Sequence, residues 1–317
     1  MTINKIQILM ATYNGEKYLE EQLDSILNQT YINWELLIRD DCSTDKTLEI
    51  LNTYSNKYPE KIFIIKDNLN KLGACYNFLN LVKLSTSDYI MFSDQDDFWL
   101  ENKIELTLNK MLIEEKNNLN IPISIHTDLK VVDYKKETIH NSYYKSINLS
   151  PSKQNKLGQI LIHSSGAGCT MMINKKLRDF IVKYPNKGVF MHDLWVTLLV
   201  NIFGKSFFIN EQTILYRIHE NNTIGISKND KFNKNFFIFL LNFKEKRKLF
   251  LKDSKMKHEQ VKLILDSFDN IDNKKKIILI NFANFYNYNF IKKRILMLKH
   301  CFFTQSLIIN IRNFIYY

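Results

Sequence analysis

Short apolar runs recur through the first 120 residues. Each ends in a polar cluster and is followed by a stretch whose apolar positions fall three and four apart. "KIQILMAT" (5–12) reads as a buried strand, and "YNGEKYLEEQLDSILNQT" carries Tyr18, Leu19, Leu23, Ile26 and Leu27 at helical spacing. "WELLIRDD", "KIFIIKD" and "DYIMFSD" predict three more strands. "STDKTLEILNTYSNKY", "GACYNFLNLVKLS" and "LENKIELTLNKMLIEEKN" predict the helices between and after them. Strands alternating with helices imply right-handed crossovers and a mostly parallel, doubly wound α/β sheet.

Beyond residue 120 the periodicity weakens. "IPISIHTDLKVVD" predicts one or two strands, and 134–157 a surface loop or flap. "GAGCTMMIN" reads as a turn into a strand, and "KKLRDFIVKY" and "GVFMHDLWVTLLVNIFG" as helices. "KSFFIN" and "TILYRIH" are expected to be two further strands. From 232 onward every segment has a helical pattern, which predicts an α/β domain over 1–227 and a helical extension over 228–317.

Charge supports that division. Residues 228–317 hold 19 Lys and Arg against 7 Asp and Glu, whereas 1–227 hold 25 against 26. Basic residues mixed with Phe, Ile and Leu, without any nucleic-acid motif, point to an anionic membrane surface or to a tail packed on the rest of the chain. Eight glycines and four prolines in 317 residues argue against a turn-rich all-β fold. The four cysteines form no C-x-x-C pair, so neither a zinc knuckle nor a disulfide framework is expected. The first residues have too short an apolar core for a secretory leader, and no run reaches the ~20 apolar residues of a membrane span. A protein in the cytoplasm, soluble or peripheral at the membrane, is expected.

In an open α/β sheet ligands bind beyond the carboxyl ends of the strands. Three polar clusters fall there: "ATYNGE", "RDDCSTD" and "SDQDDFW". The last places Asp94, Asp96 and Asp97 within four positions. Carboxylates so close repel unless a cation lies between them, and a hard divalent ion with oxygen ligands meets that need.

The ordered set "ATYNGEKYLEEQLDSILNQTYINWELLIRDDCSTDKT", "SDQDDFW", "MHDLWV" and "YRIHENN" resembles inverting family 2 glycosyltransferases, among them bacterial members described as rhamnosyltransferases. The resemblance covers residues 4 to about 227, and the helical tail more loosely. It implies a Rossmann-like GT-A fold, a nucleotide-sugar donor (dTDP-rhamnose or a UDP-sugar), a saccharide acceptor that is lipid-linked at the inner face of the plasma membrane, and Mn²⁺ or Mg²⁺. By the same resemblance, Ala11, Thr12 and Tyr13 contact the nucleotide, Glu16 falls in that patch, and Asp41 accepts the pyrimidine N–H. Asp96 binds the metal, and Asp94 binds ribose or donor sugar or assists the metal. Asp193 is the catalytic base, His219 reaches metal or diphosphate, and Arg217 pairs with phosphate. Cys42 departs from the glycine usual after the paired acids.

Bland readings stand beside these. Asp40 reads equally as a turn carboxylate, Asp97 as a solvated one, and Asp193 as a helix N-cap. Trp99 and Trp195 read as core. The processive motif Q-x-x-R-W is missing, which favours addition of a single sugar. A catalytically silent sugar-binding or scaffolding module is the alternative function.

Overall fold

The computed structural model describes residues 4–154, 156–163, 166–183, 187–219 and 243–305, with 310, 311 and 314. It divides into two compact units, Met1–Ser146 with Ser164–Arg217, and Ile147–His163 with Ile218–Tyr317. The boundary expected at 227/228 and the apolar run 236–241 lie outside the described residues.

The first unit begins with β1 (Ile6–Thr12), α1 (Leu19–Leu27), β2 (Trp34–Asp40), α2 (Thr47–Lys57), β3 (Ile62–Ile64), α3 (Gly73–Leu84) and β4 (Tyr89–Ser93). It continues through β5 (Phe98–Trp99), α4 (Lys103–Asn117), β6 (Ile123–Val132), β7 (Thr138–His140) and α5 (Tyr143–Ser146). After a one-turn 3-10 helix (Gly168–Thr170) come β8 (Met171–Asn174), α7 (Lys175–Lys183), α8 (His192–Phe203) and β9 (Lys205–Arg217). The sheet order is β3-β2-β1-β4-β8-β6-β9-β5, with β7 on β6. β1 to β4 are mutually parallel; β8, β5 and β7 run against the other six strands. The mostly parallel sheet expected from the alternation is therefore found. β4 is buried along its whole length because helices cover both faces of a parallel sheet.

Register decides where the polar ends fall. Thr12 pairs with Asp40, and Met10 with Ser93, so three strands stop at one rim. Antiparallel β8 brings the Gly168–Thr170 turn to the same end of β4.

Two expectations change. "KSFFIN" and most of "TILYRIH" form one strand ending at Arg217, since the register shift between Thr127 and Asp128 of β6 absorbs Asn210 and Glu211. The loop expected at 134–157 holds β7, α5 and a 3-10 turn, Pro151–Lys153. These elements are too short to show a period.

Among its described residues the second unit contains α6 (Leu157–Ile162) and three longer helices, α9 (Phe243–Ser267), α10 (Asn273–Ala283) and α11 (Phe290–His300). Asp272 and Asn289 cap α10 and α11 through their side chains. Phe282, Phe285 and Phe302 pack with Ile162 and Met297 around a small apolar core. Among the described residues no helix is long and apolar enough to cross a membrane.

Candidate active site

The loop after β1 and the loop after β4 are joined by one side chain. Gln95 Oε1 accepts the Tyr13 N–H at 2.9 Å, and its Nε2 donates to the Tyr13 carbonyl at 2.9 Å. The amide thus copies a strand's pairing across a gap the sheet does not reach. A Cβ on Gly15 would meet Gln95 Oε1 at 2.3 Å, so glycine there makes room for the clamp. Tyr13 stays exposed, with the Lys71 ammonium 3.8 Å from its ring centroid.

The paired acids after β2 differ in role. Asp40 accepts the Thr12 hydroxyl at 2.9 Å, the Ser43 N–H at 2.8 Å and the Ser43 hydroxyl at 2.5 Å, which makes it a turn carboxylate. Asp41 is buried. Its Oδ1 accepts from Leu72 N–H (2.7 Å) and Arg39 Nη1 (3.1 Å), and its Oδ2 accepts from Gly73 N–H (2.8 Å). It therefore anchors the start of α3, and a base N–H would use a remaining lone pair. Cys42 has φ +65°, the left-handed conformation that suits the glycine it replaces. Glu16 is exposed and accepts the Lys46 N–H at 2.9 Å, so it braces the neighbouring turn. Ala11 and Thr12 end β1.

The 94–97 loop is held from several sides. Ser93 Oγ accepts from Gln22 Nε2 at 2.8 Å, and the Trp99 N–H donates to Ser25 Oγ at 3.0 Å. Arg217, at the end of β9, donates from Nε to the Asp96 carbonyl at 3.2 Å, from Nη1 to the Tyr134 carbonyl at 3.2 Å and from Nη2 to Glu21 at 2.7 Å. The guanidinium also lies 4.3 Å from the Tyr18 ring centroid. The expected phosphate fork is thus engaged by protein groups, and Arg217 positions the loop instead. Burial, then the charges of Asp96 and Asp193, push the Asp94 carboxyl up to about 7. The effect of Asp193 on Asp94 brings the start of α8 and the end of β4 into one electrostatic field.

Asp193 stands in the first turn of α8, half-buried. Its Oδ1 accepts the next backbone N–H, that of Leu194, at 2.6 Å, and the N-cap position is Met191, without a side-chain cap. The N-cap reading therefore fails. Its charge also helps to raise the Cys75 thiol to about 12, after burial. His192 beside it is buried and stacks 4.2 Å from the Phe78 ring.

Asp97 is not a solvated carboxylate: it is completely buried, and burial followed by the charges of Asp94 and Asp96 raises it well above the usual range. Asp94, Asp97 and Cys169 bring ligand atoms within 4.8 Å of one another. Lys103, buried with them, is lowered to about 8 by desolvation. Gln95, Cys169 and Lys103 are the site residues that sequence reasoning missed. His219, half-buried, follows Arg217 by two residues and belongs to the second unit. Trp99 and Trp195 are core, as read.

Residues 7–180 match the family model of glycosyl transferase family 2. The chain is 35% identical over 230 residues, 68% of its own length and 73% of the relative's, to the dTDP-rhamnosyl transferase RfbG of Shigella flexneri. It is 29% identical, over 61% of its length and 69% of the relative's, to the UDP-Glc:alpha-D-GlcNAc-diphosphoundecaprenol beta-1,3-glucosyltransferase WfgD of Escherichia coli. Among solved structures, S. aureus TarS 1-349 in complex with UDP-GlcNAc superposes with TM-score 0.57 at 19% identity, covering 88% of this chain and 71% of that one. The mannosyltransferase PcManGT from Pyrobaculum calidifontis, in complex with GDP-Man and Mn²⁺, superposes with TM-score 0.56 at 13% identity, covering 92% and 73%.

Proposed function

Because the chain belongs to glycosyl transferase family 2, a glycosyltransferase with the GT-A architecture, we propose that it moves a single sugar, with inversion, from a nucleoside-diphosphate donor to a saccharide acceptor in bacterial surface polysaccharide synthesis. The likeness to RfbG favours dTDP-rhamnose as donor, with a UDP-sugar as the other candidate. The likeness to WfgD favours an acceptor carried on a lipid diphosphate, and so work at the cytoplasmic face of the membrane.

The observation that carries this reading is the convergence of Asp94, Asp96 and Asp193 at the carboxyl rim of the sheet. Asp193 serves as general base. As the acceptor oxygen bonds to the anomeric carbon, the bond from that carbon to the diphosphate breaks, and the acceptor's proton passes to the Asp193 carboxylate. Base catalysis of this kind contributes about 10²–10⁴-fold. Tyr13 offers an exposed ring for the nucleotide base, beside the end of β1 at Ala11 and Thr12.

The carboxylates also fit a divalent cation. Their oxygens suit Mn²⁺ or Mg²⁺, and like charges that push Asp94 up are the ones a cation would relieve. Asp96 with Asp94 would hold it. When bound, the metal supplies positive charge to the departing nucleoside diphosphate.

The test is a donor screen across dTDP- and UDP-sugars with and without Mn²⁺, followed by Asp193→Asn. Turnover is expected to fall by about two to four orders of magnitude with donor affinity kept. Loss of donor binding with turnover of bound donor retained would move Asp193 to the donor site.

A further inference from the structure

Helix α11 presents apolar residues on two sides. Leu296, Met297 and His300 are buried and hold it against its own unit. Turned roughly half a circle away, at ~100° per residue, stand Ile291, Ile295 and Leu298, which are 70%, 57% and 71% exposed. Three large apolar side chains left in water along one face of a helix form a patch of the kind that marks an interaction site.

The polar surroundings of the patch identify its partner. The helix holds Lys292, Lys293, Arg294 and Lys299 and no acidic residue. Lys292 and Lys299 stand on one flank of the exposed stripe and Arg294 on the other. Arg294 lies over the Phe290 ring at 4.2 Å, and Lys292 over the Tyr288 ring at 3.8 Å, so both cations lie along apolar surface. α10 repeats the combination, with Lys274, Lys275 and Lys276 preceding exposed Ile277 and Ile280. An apolar stripe fringed only by cations fits a fluid hydrocarbon layer beneath anionic headgroups. A protein partner would ask for acceptors and donors of both signs, which α11 does not offer.

We propose that the outer face of α11 docks the protein on an anionic lipid bilayer, with Ile291, Ile295 and Leu298 in the headgroup–acyl boundary and Lys292 and Lys299 on the lipid phosphates. The proposal rests on the reading of the acceptor as lipid-linked and names the surface that would bring the enzyme to it. It narrows the expectation of a membrane-binding basic tail over 228–317 to one helix face.

The test is cosedimentation of the full chain with phosphatidylglycerol/phosphatidylcholine vesicles and with pure phosphatidylcholine vesicles, without substrate. Donor hydrolysis is measured separately in solution. Binding is expected only to the anionic vesicles, with partial release by salt. Ile295→Glu with Leu298→Glu should weaken it by about tenfold or more, and Lys292→Gln with Lys299→Gln by about fivefold for each cation removed. Thermal melting and solution hydrolysis should stay as in the parent, because all four positions are exposed. Equal binding of parent and both variants would overturn the proposal. So would a parent dimer that the Ile295/Leu298 variant converts to monomer, since the face would then be a self-association surface. Vesicle binding without donor hydrolysis would leave the docking face standing and refute the enzymatic reading.

Discussion

Replacing Gln95 by Met keeps the length of the side chain and removes both of its contacts to Tyr13. Each is a 2.9 Å hydrogen bond, and each such bond contributes a net ~0.5–1.5 kcal/mol. The pair is partly open to solvent, so the low end applies, about 1–2 kcal/mol in total. The sheet register holds both strand ends without Gln95, so little of this should appear as lost stability. It should appear as misalignment of the Tyr13 loop against the 94–97 loop, which the donor's base and diphosphate would have to correct on binding. The expected result is a rise in donor KM of about 5–30-fold, with kcat changed by less than about threefold. Titration of the nucleoside diphosphate with and without Mn²⁺ provides an independent readout. In the parent each should strengthen the other's binding, and in the variant that coupling should shrink by a similar factor. Gly15 supplies the control. A Cβ there meets the Gln95 side chain first, Oε1 at 2.3 Å and Cδ at 2.5 Å, so Gly15→Ala should be harmful alone and nearly neutral in a Gln95→Ala background. A Gly15→Ala penalty of equal size in both backgrounds would refute the clamp, as would an unchanged donor KM in Gln95→Met.

Asp96→Ala should abolish metal-stimulated transfer and weaken donor binding. Full activity of that variant in chelator-treated buffer would remove the metal from the mechanism. His126 is buried beside Tyr144 and Phe208, and burial lowers it from 6.5 to about 4. Its folded-state value is the lower one, so the unfolded chain binds the extra proton and stability should fall as pH drops from 6.5 towards 4. By pH 4.5 the loss is ~2–3 kcal/mol. Urea denaturation at pH 7 and 4.5 should show a smaller difference for His126→Phe, and an undiminished one would show that this ring is not the acid-sensitive group.

The strands and helices of the first half were legible because each is a local pattern. β1, β2 and β4 are mostly apolar runs, broken only by Gln7 in β1 and by Glu35 and Arg39 in β2, and their polar ends follow directly. The residues that assemble the rim were not, because their roles depend on contacts distant in sequence. Gln95 reads as the spacer of a D-x-D until Tyr13 is found 82 positions away. Asp97 reads as a surface acid until α4 and the turn before β8 close over it with Lys103 and Cys169. Arg217 offers a fork for phosphate on paper, but Glu21 and two carbonyls reach it first. Asp40 and Asp41, adjacent in sequence, separate in role because one faces Thr12 and Ser43 and the other faces the start of α3.

The strand order has a consequence for the way the chain is made. β1 to β4 form from successive local units, so the Tyr13 and Asp41 rim can assemble once about a hundred residues have left the ribosome. The 94–97 loop runs from β4 to β5, and among the described residues β5 pairs with β9 alone, the last strand described in the unit. Its carbonyl anchor, Arg217, lies 121 positions beyond Asp96. Long-range closure of this kind comes late, because the loop entropy must be met before the contact forms. A nascent chain released before β9 is therefore expected to protect the amides of β1 and β4 in pulsed hydrogen exchange while that of Leu100, which donates to the Thr213 carbonyl at 2.9 Å, still exchanges freely. Ser25 and Gln95 tie the acidic loop to the first hundred residues, and its outer side closes only as the final strand is laid down.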